Sequence, residues 1–389
     1  MKGTAEAVVV GGGVMGCSIL YNLAVRGMTE TVLVERDTLG SGSTGRSSAV
    51  VRMHYSMEVN SRLAWESLKV FQEWKDRVGA GDPSYVTTGI MVFVPPASLE
   101  ALEATITMQE SVGIDTRIIS NEEAKELAPY LSLDGTAGIA YEPQSGYADP
   151  TGVYAGYIDR ARELGAEVVL QAPCQKVDIQ GDRVRGVVTP QGRIDTPIVV
   201  LVTGPWSAGV LKEIGIELPL KATRAQVMFL KRGVEGPANH VGAIDLANLT
   251  YFRPDGNELT LVGNGKEEEA NPNGYDQKAD MDFIQETWGR VAKRVPALAE
   301  AELFTSYAGL YTVTPDSHPV IDKVDGIEGL YICTGFSGHG FKLSPATGIV
   351  VAELILEGKA RTVDISPLRM SRFREGDLNK TLYPMRVIA

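Results

Sequence analysis

Apolar and polar positions along this chain follow two rhythms, and the rhythm changes at glycines. Val8-Val9-Val10 is a short, wholly apolar run, followed by Gly11-Gly12-Gly13-Val14-Met15-Gly16 and then by Ile19, Leu20 and Leu23 at helical spacing. That order predicts a buried strand, a tight turn and a helix to Arg26, stopped by Gly27. Thr31–Val34 predicts a second strand. Leu63, Leu68, Val70 and Phe71 keep a period near 3.6 and predict a helix from about Asn60 to Val78. A strand from Tyr85 to Val94 is stopped by Pro95-Pro96, residues 98–112 read as a helix, and Asn121 is the expected N-cap of a short helix. Residues 138–142 predict a strand and 151–164 a helix ending at Gly165.

Alternation then dominates. Segments between residues 166 and 189 alternate as strands, with turns at Gly181-Asp182 and Gln191-Gly192. Ile198–Thr203 is continuously apolar up to its last residue, the pattern of a strand covered on both faces. It ends in Gly204-Pro205-Trp206-Ser207, a sharp turn into a helix that repeats the logic of the first turn. Residues 216–265 are strand-rich: Arg224–Leu230, Leu249–Arg253 and Glu258–Val262, with Asp255-Gly256 turning the last two. Residues 266–280 read as a polar surface loop, 281–294 as a helix and Tyr307–Tyr311 as a strand. Leu330–Thr334 is a further buried strand, Gly335–Lys342 a glycine-rich loop, and Ser344-Pro345 the expected opening of a helix ending at Gly358.

Composition narrows the class without choosing the chemistry. The 389 residues are enough for two or three domains, and 44% hydrophobic with 22% charged residues is ordinary for a globular protein. A net charge of −12 argues against nucleic acid or an anionic membrane surface as a partner. The cysteines, Cys17, Cys174 and Cys333, have no paired spacing, and the four histidines are scattered, so neither a disulfide framework nor a metal site is expected. The chain enters its first strand without a basic and apolar leader, and its longest apolar segment, 348–356, is broken by Glu353. A cytoplasmic location without a membrane span is the resulting expectation.

The glycine turn carries the first chemical signal. Gly11, Gly13 and Gly16 have the G-x-G-x-x-G spacing that lets a pyrophosphate approach backbone at a helix N-terminus. Glu35 ends the second strand about 20 residues past Gly16, where an acid accepts ribose hydroxyls. The motif indicates dinucleotide binding and leaves NAD and FAD open. The polar run from Asp37 to Ser48 suits a second phosphate cradle. Lys342, before the last helix, adds positive charge where a reduced flavin ring is negative.

These stretches, in this order, resemble the sarcosine oxidase and glycine oxidase branch of the D-amino-acid oxidase superfamily of FAD enzymes. The residues that carry the resemblance are Gly11–Gly16, Glu35, Ser43–Tyr55, Thr203–Ser207, Tyr311–Asp316 and above all Gly335–Lys342. It implies an α/β fold of two domains: a Rossmann-like FAD-binding domain from residues 1–85, 145–215 and 305–375, and an antiparallel-sheet substrate domain from 86–144 and 216–304, with 376–389 as a tail. It implies FAD contacts from Gly11, Gly13, Val14, Met15 and Gly16; from Glu35 and Arg36; and from Ser43, Thr44, Arg46, Ser47 and Ser48. Further contacts fall to Val177, Thr203, Gly204 and Trp206, and to Gly338, His339, Gly340, Phe341 and Lys342. Arg52 and Lys342 are implied to bind a substrate carboxylate, with Tyr251 and Tyr311 lining the pocket.

The implied reaction is oxidation of the C–N bond of a secondary or N-substituted amino acid, with oxygen or another electron acceptor, in a protein that is a homo-oligomer or has partner subunits. The alternatives are oxidation of a 2-hydroxy acid, with His54 or His339 as base, and an electron-transfer subunit without a substrate. Two departures from the branch bear on chemistry. Gly309 stands where members with covalently attached flavin carry Cys, so FAD is expected to be non-covalent. Glu258–Val262 has no lysine where monomeric sarcosine oxidase carries one for oxygen activation.

Overall fold

The computed structural model describes residues 2–233 and 240–383. Its first layer is a six-stranded sheet in the order Val320–Lys323, Leu330–Thr334, Val199–Leu201, Ala7–Val10, Thr31–Val34, Glu167–Val169. All neighbours are parallel except the edge strand Val320–Lys323, which runs antiparallel to Leu330–Thr334. The strands are apolar throughout because both faces are covered. Val9, Leu33, Val200 and Cys333 face the helices Val14–Val25, Pro150–Glu163 and Gly340–Glu357. Val8, Val32, Val199 and Ile332 face a three-stranded antiparallel sheet formed by residues 176–195.

The second unit is an eight-stranded sheet in the order Glu302–Val313, Lys221–Lys231, Leu259–Glu269, Thr250–Asp255, Gly242–Asp245, Ile90–Val94, Gly138–Glu142, Arg117–Ile118. It is antiparallel apart from the pairing of Gly242–Asp245 with Ile90–Val94. Side chains alternate between its faces. Met91, Phe93, Phe252 and Val262 cover the helix Met281–Arg294, whereas Ile90, Val92, Tyr251 and Leu261 share a cluster with Val50 of the first unit. The fold is therefore α/β with two domains, as expected.

Several element limits differ from the sequence reading. The short helix Asn121–Leu127 is capped by Ser120, whose hydroxyl accepts the Glu123 N–H at 3.2 Å, and Asn121 is its first residue. The helix expected to run to Val78 ends at Gln72 and resumes as Trp74–Arg77. The strand expected to stop at Val262 continues to Glu269, paired with Lys221–Lys231 through a bulge, so the supposed loop starts later. Tertiary pairing overrides the low strand propensity of Lys266–Glu269.

The last helix begins at Gly340 rather than Ser344. Pro345 has no N–H for the Phe341 carbonyl, and the Ser344 hydroxyl donates to that oxygen instead, at 2.8 Å. The helix thus tolerates an internal proline, and Lys342 lies in its first turn.

Among the described residues, the ion pairs Arg294 with Asp245 and Arg372 with Asp316 are fully buried. Arg372 grips both Asp316 oxygens, at 2.7 and 3.1 Å, and also donates to the His318 carbonyl. Burial opposes ionisation of Asp316, but the Arg372 hydrogen bonds and charge outweigh it and hold the carboxyl below its usual range. Asp316→Ala is expected to lower unfolding stability by about 3–5 kcal/mol, because it strands a buried guanidinium. The contribution is present above the unfolded carboxyl pKa of about 4 and is lost as pH falls through the lowered folded value. Denaturant titrations at neutral and acidic pH measure both effects.

Candidate active site

A cavity of about 790 Å³ opens at the carboxyl ends of the parallel strands, bounded there by Val10, Val34, Val202 and Thr334. The first glycine turn forms one wall. Gly11 has φ +120°, and a Cβ there would meet the Val202 carbonyl at 2.5 Å. Gly16 does not line the cavity; a Cβ at Gly16 would stand 1.9 Å from the Gly11 oxygen, so its place is where helix meets turn. Val14 donates its N–H to the Thr44 hydroxyl at 3.0 Å, which ties the polar run to the helix start. Gly13, Val14 and Met15 line the cavity.

Glu35 also lines it, and its two oxygens accept the N–H groups of Gly12, at 2.6 Å, and Asp37, at 2.8 Å. A carboxylate has about four acceptor positions, so two backbone bonds orient Glu35 and leave capacity for a diol. Arg36 stacks on the Trp206 ring, 3.6 Å from its centroid, and both line the same end with Thr203 and Gly204. In the polar run, Ser43 donates to the Leu310 carbonyl at 2.6 Å, and Arg46 to Ser41 at 2.7 Å and Gln277 at 2.6 Å. These bonds fix Ser43, Thr44, Arg46, Ser47 and Ser48 along the wall. Ala49 has φ +54°, a strained turn for a residue with a Cβ, and sends the chain into Val50-Val51 and Arg52.

The third wall is the loop after Leu330–Thr334. Gly335, Ser337 and Gly338 all have positive φ, at +74°, +49° and +87°. Ser337 donates its N–H to the Thr312 carbonyl at 2.8 Å, and so ties the loop to the strand that carries Tyr311. Gly338, Gly340, Phe341 and Tyr311 line the cavity. His339 immediately precedes the last helix and meets Tyr55 edge to face at 5.2 Å.

Behind this wall lies a buried polar cluster. Arg52 is completely buried; its guanidinium donates to the His54 carbonyl and lies 4.6 Å from the Tyr55 ring centroid. Lys342 is also buried, and burial together with the Arg52 charge pushes its amine well below the usual lysine range. Glu142 accepts the Met53 N–H at 3.0 Å and the Ser145 hydroxyl at 2.7 Å; burial raises its carboxyl pKa, and the Arg52 charge opposes that rise. Burial lowers His54 to about 3, so its imidazole is neutral. Tyr251 is buried and Tyr311 half-buried on the cavity wall, and desolvation raises the phenol pKa of both.

Of the residues singled out in the sequence, Arg52, His54, Tyr251, His339 and Lys342 stand behind the cavity's lining rather than on it. Val177 packs in the core under the six-stranded sheet, among Val184, Val187 and Ile194, and does not line the cavity. Sequence reasoning missed Glu142, Tyr383, Tyr55 as a partner of Arg52, and Gln109, whose side-chain amide donates to the Met53 carbonyl at 2.6 Å. Glu142 had a faint signal, since it ends an apolar strand; Tyr383 had none. Among the described residues no group of His, Cys, Asp and Glu is placed to hold a metal, and no helix is long and apolar enough to cross a membrane. All three cysteines are free thiols.

A cavity of this size, walled by glycines where a Cβ would collide and by an oriented acid at a strand end, fits a dinucleotide with a second ring system. The comparisons agree. The family model described as "DAO: FAD dependent oxidoreductase" matches residues 6–354. Human mitochondrial sarcosine dehydrogenase is 28% identical over 92% of this chain, which spans only 40% of that protein's length. Sarcosine oxidase subunit beta of Rhodobacter capsulatus is 24% identical, over 95% of this chain and 89% of its own. The L-proline dehydrogenase structure from P. horikoshii superposes with a TM-score of 0.90 and 30% identity, covering 97% of this chain and 100% of that one.

Proposed function

The chain belongs to the DAO family of FAD-dependent oxidoreductases, and on that footing we propose that it oxidises the C–N bond of a secondary or N-substituted amino acid. FAD is the cofactor of the family. The observation that carries the substrate reading is the joint burial of Arg52 and Lys342 behind the Gly335–Gly338 wall. Two cations kept from water at one place repel each other, and an anion relieves that repulsion. Arginine offers a planar fork to a carboxylate, and Lys342 a single ammonium that recovers its proton beside an anion. Sarcosine and proline, named in the relatives above, both join a carboxylate to a secondary amine.

What bound FAD supplies is a two-electron acceptor for hydride from the carbon bonded to nitrogen; the imine left behind hydrolyses in water. Glu35 would hold the adenosine ribose, with the backbone of Gly11–Val14 and the Thr44 side at the pyrophosphate. Gly335–Gly338 and the first turn of the last helix would face the flavin end. Arg52 and Lys342 would fix the carboxylate and so restrict the orientations open to the C–N bond in the site. No side-chain base is required when the amine enters neutral. The 2-hydroxy acid alternative would use His54 as base, and the Tyr383 hydroxyl already engages its Nε2 at 2.6 Å.

The test is anaerobic bleaching of the bound flavin by a panel of N-alkyl glycines, prolines, primary amino acids and 2-hydroxy acids. Bleaching by a secondary amino acid is expected; bleaching only by hydroxy acids, or only by amines lacking a carboxylate, rejects the reading.

Two further outcomes are expected. FAD is held without a covalent bond: position 309 has no thiol, and even a Cβ there would stand 2.9 Å from the Arg46 Cβ. Acid precipitation is expected to leave the yellow colour in the supernatant, and colour in the washed pellet would contradict this. Reoxidation by oxygen is expected to be slower than by an artificial dye. Lys266, the next lysine after Glu258–Val262, lies on the strand and pairs with Glu286 at an exposed position. It therefore supplies no buried cation to stabilise superoxide. Stopped-flow mixing of reduced enzyme with aerated buffer and with dye compares the two rates.

A further inference from the structure

The last described residues return to the site from outside. Arg372, locked on Asp316, starts this return, and Asn379 donates its N–H to the same Asp316 carboxylate at 3.2 Å. The chain then crosses to Ser56, whose hydroxyl accepts the Leu382 N–H at 3.1 Å. Tyr383 is 2% exposed and packs with Val50, Leu102 and Ile106, residues drawn from both units. Its hydroxyl meets His54 Nε2 at 2.6 Å, with the two rings 5.7 Å apart. The carbonyl of the same His54 accepts from the Arg52 guanidinium.

We propose that Tyr383 is a positioning residue for the substrate carboxylate: it pins His54, and the His54 backbone aims Arg52. The inference rests on the reading of Arg52 as the carboxylate anchor. Its physical content is a chain of three links: phenol to imidazole, imidazole to its own backbone, carbonyl to guanidinium. Segment 52–55 lies beyond the strand Val50–Val51 and after the strained Ala49, so no ladder holds it on that side. Glu142 fixes Met53 from one direction, through its N–H. Gln109 and Ser61 donate to the carbonyls of Met53 and Tyr55, and Tyr383 fixes the side chain of His54. A guanidinium binds a carboxylate bidentately only when its plane is set beforehand, so a loosened His54 costs affinity before it costs chemistry.

The test compares Tyr383→Phe, Arg52→Lys and the double variant in the FAD-loaded enzyme. Propionate, a carboxylate with no amine to oxidise, is the probe, its Kd read by flavin absorbance and by calorimetry. Tyr383→Phe keeps the packed ring and removes only the hydroxyl, so the fold is retained and the unfolding midpoint is expected to fall only modestly. The propionate Kd and the substrate KM are expected to rise about three- to tenfold, with kcat within about twofold, and the rise is expected to shrink to near nothing in the Arg52→Lys background. A wild-type Kd in Tyr383→Phe, or an equal rise in both backgrounds, overturns the proposal. Arg52→Lys binding propionate as tightly as wild type overturns the carboxylate reading and this proposal with it. Weakened binding in Arg52→Lys alone overturns only the role of Tyr383.

Discussion

Arg52→Ala is expected to weaken carboxylate binding by about 2–5 kcal/mol, roughly thirty- to several-thousandfold. The size follows from burial. The Arg52 side chain is fully shielded from water, so an anion seated there has no solvent to replace the lost partner. Lys342 compensates only in part, because burial, the first cause of its lowered amine pKa, persists without Arg52, and a single ammonium does not replace a two-pronged guanidinium. Removing Arg52 lifts the repulsive part of that shift but leaves the larger desolvation part. Propionate titration of the loaded enzyme gives the binding loss, and kcat/KM with the best amino acid gives the transition-state loss. If both stay near wild type, the carboxylate does not bind there.

Gly16→Ala is expected to have the second large effect, on cofactor retention. One methyl group would stand 1.9 Å from the Gly11 carbonyl oxygen, a backbone atom in a turn that already needs φ +120°. No flexible side chain is available to move aside. The helix must shift away from the strand, and the N–H groups around Gly13 and Val14 shift with it. Overpacking of this kind costs about 1–3 kcal/mol or more of stability, and FAD affinity is expected to drop beyond that because the phosphate cradle itself is displaced. Titration of apoprotein with FAD, followed by flavin fluorescence, measures the loss. Gly289→Ala is the control: it lies in the exposed-face helix Met281–Arg294 with open space at its Cβ, and is expected to gain up to about 1 kcal/mol and leave FAD binding alone.

The fold was legible in the sequence where a single local cause decides it. The apolar runs at Val8–Val10 and Ile198–Val202 became central parallel strands because nothing polar in them resists burial on two faces. Glycines marked the turns, since a Cβ there would collide with backbone. What was not legible depends on partners far along the chain. Lys266–Glu269 reads as a loop by composition and is a strand because Thr223–Ala225 pairs with it. The start of the last helix was hidden because Ser344-Pro345 looks like an opening, whereas the Ser344 hydroxyl serves a carbonyl within the helix. At the site, Arg52 and Lys342 stood out beside glycine-rich loops. Tyr383 did not, because its contact with His54 spans most of the chain.

The strand order of the six-stranded sheet has a consequence for synthesis. Ala7–Val10 lies between Thr31–Val34, made early, and Val199–Leu201, made much later, and Leu330–Thr334 completes the sheet's parallel core from near the far end. As the chain leaves the ribosome, its first strand and glycine turn must wait with one edge unpaired until Val199–Leu201 emerges, and five strands of the eight-stranded sheet then follow before Leu330. Such long-range pairing is slow to form and exposes apolar edges meanwhile. Ribosome-bound chains stopped before Leu330 are expected to lack tight FAD binding, even with the entire G-x-G-x-x-G segment present. On this expectation, flavin retention during expression reports on whether the segment from Leu330 onward has docked.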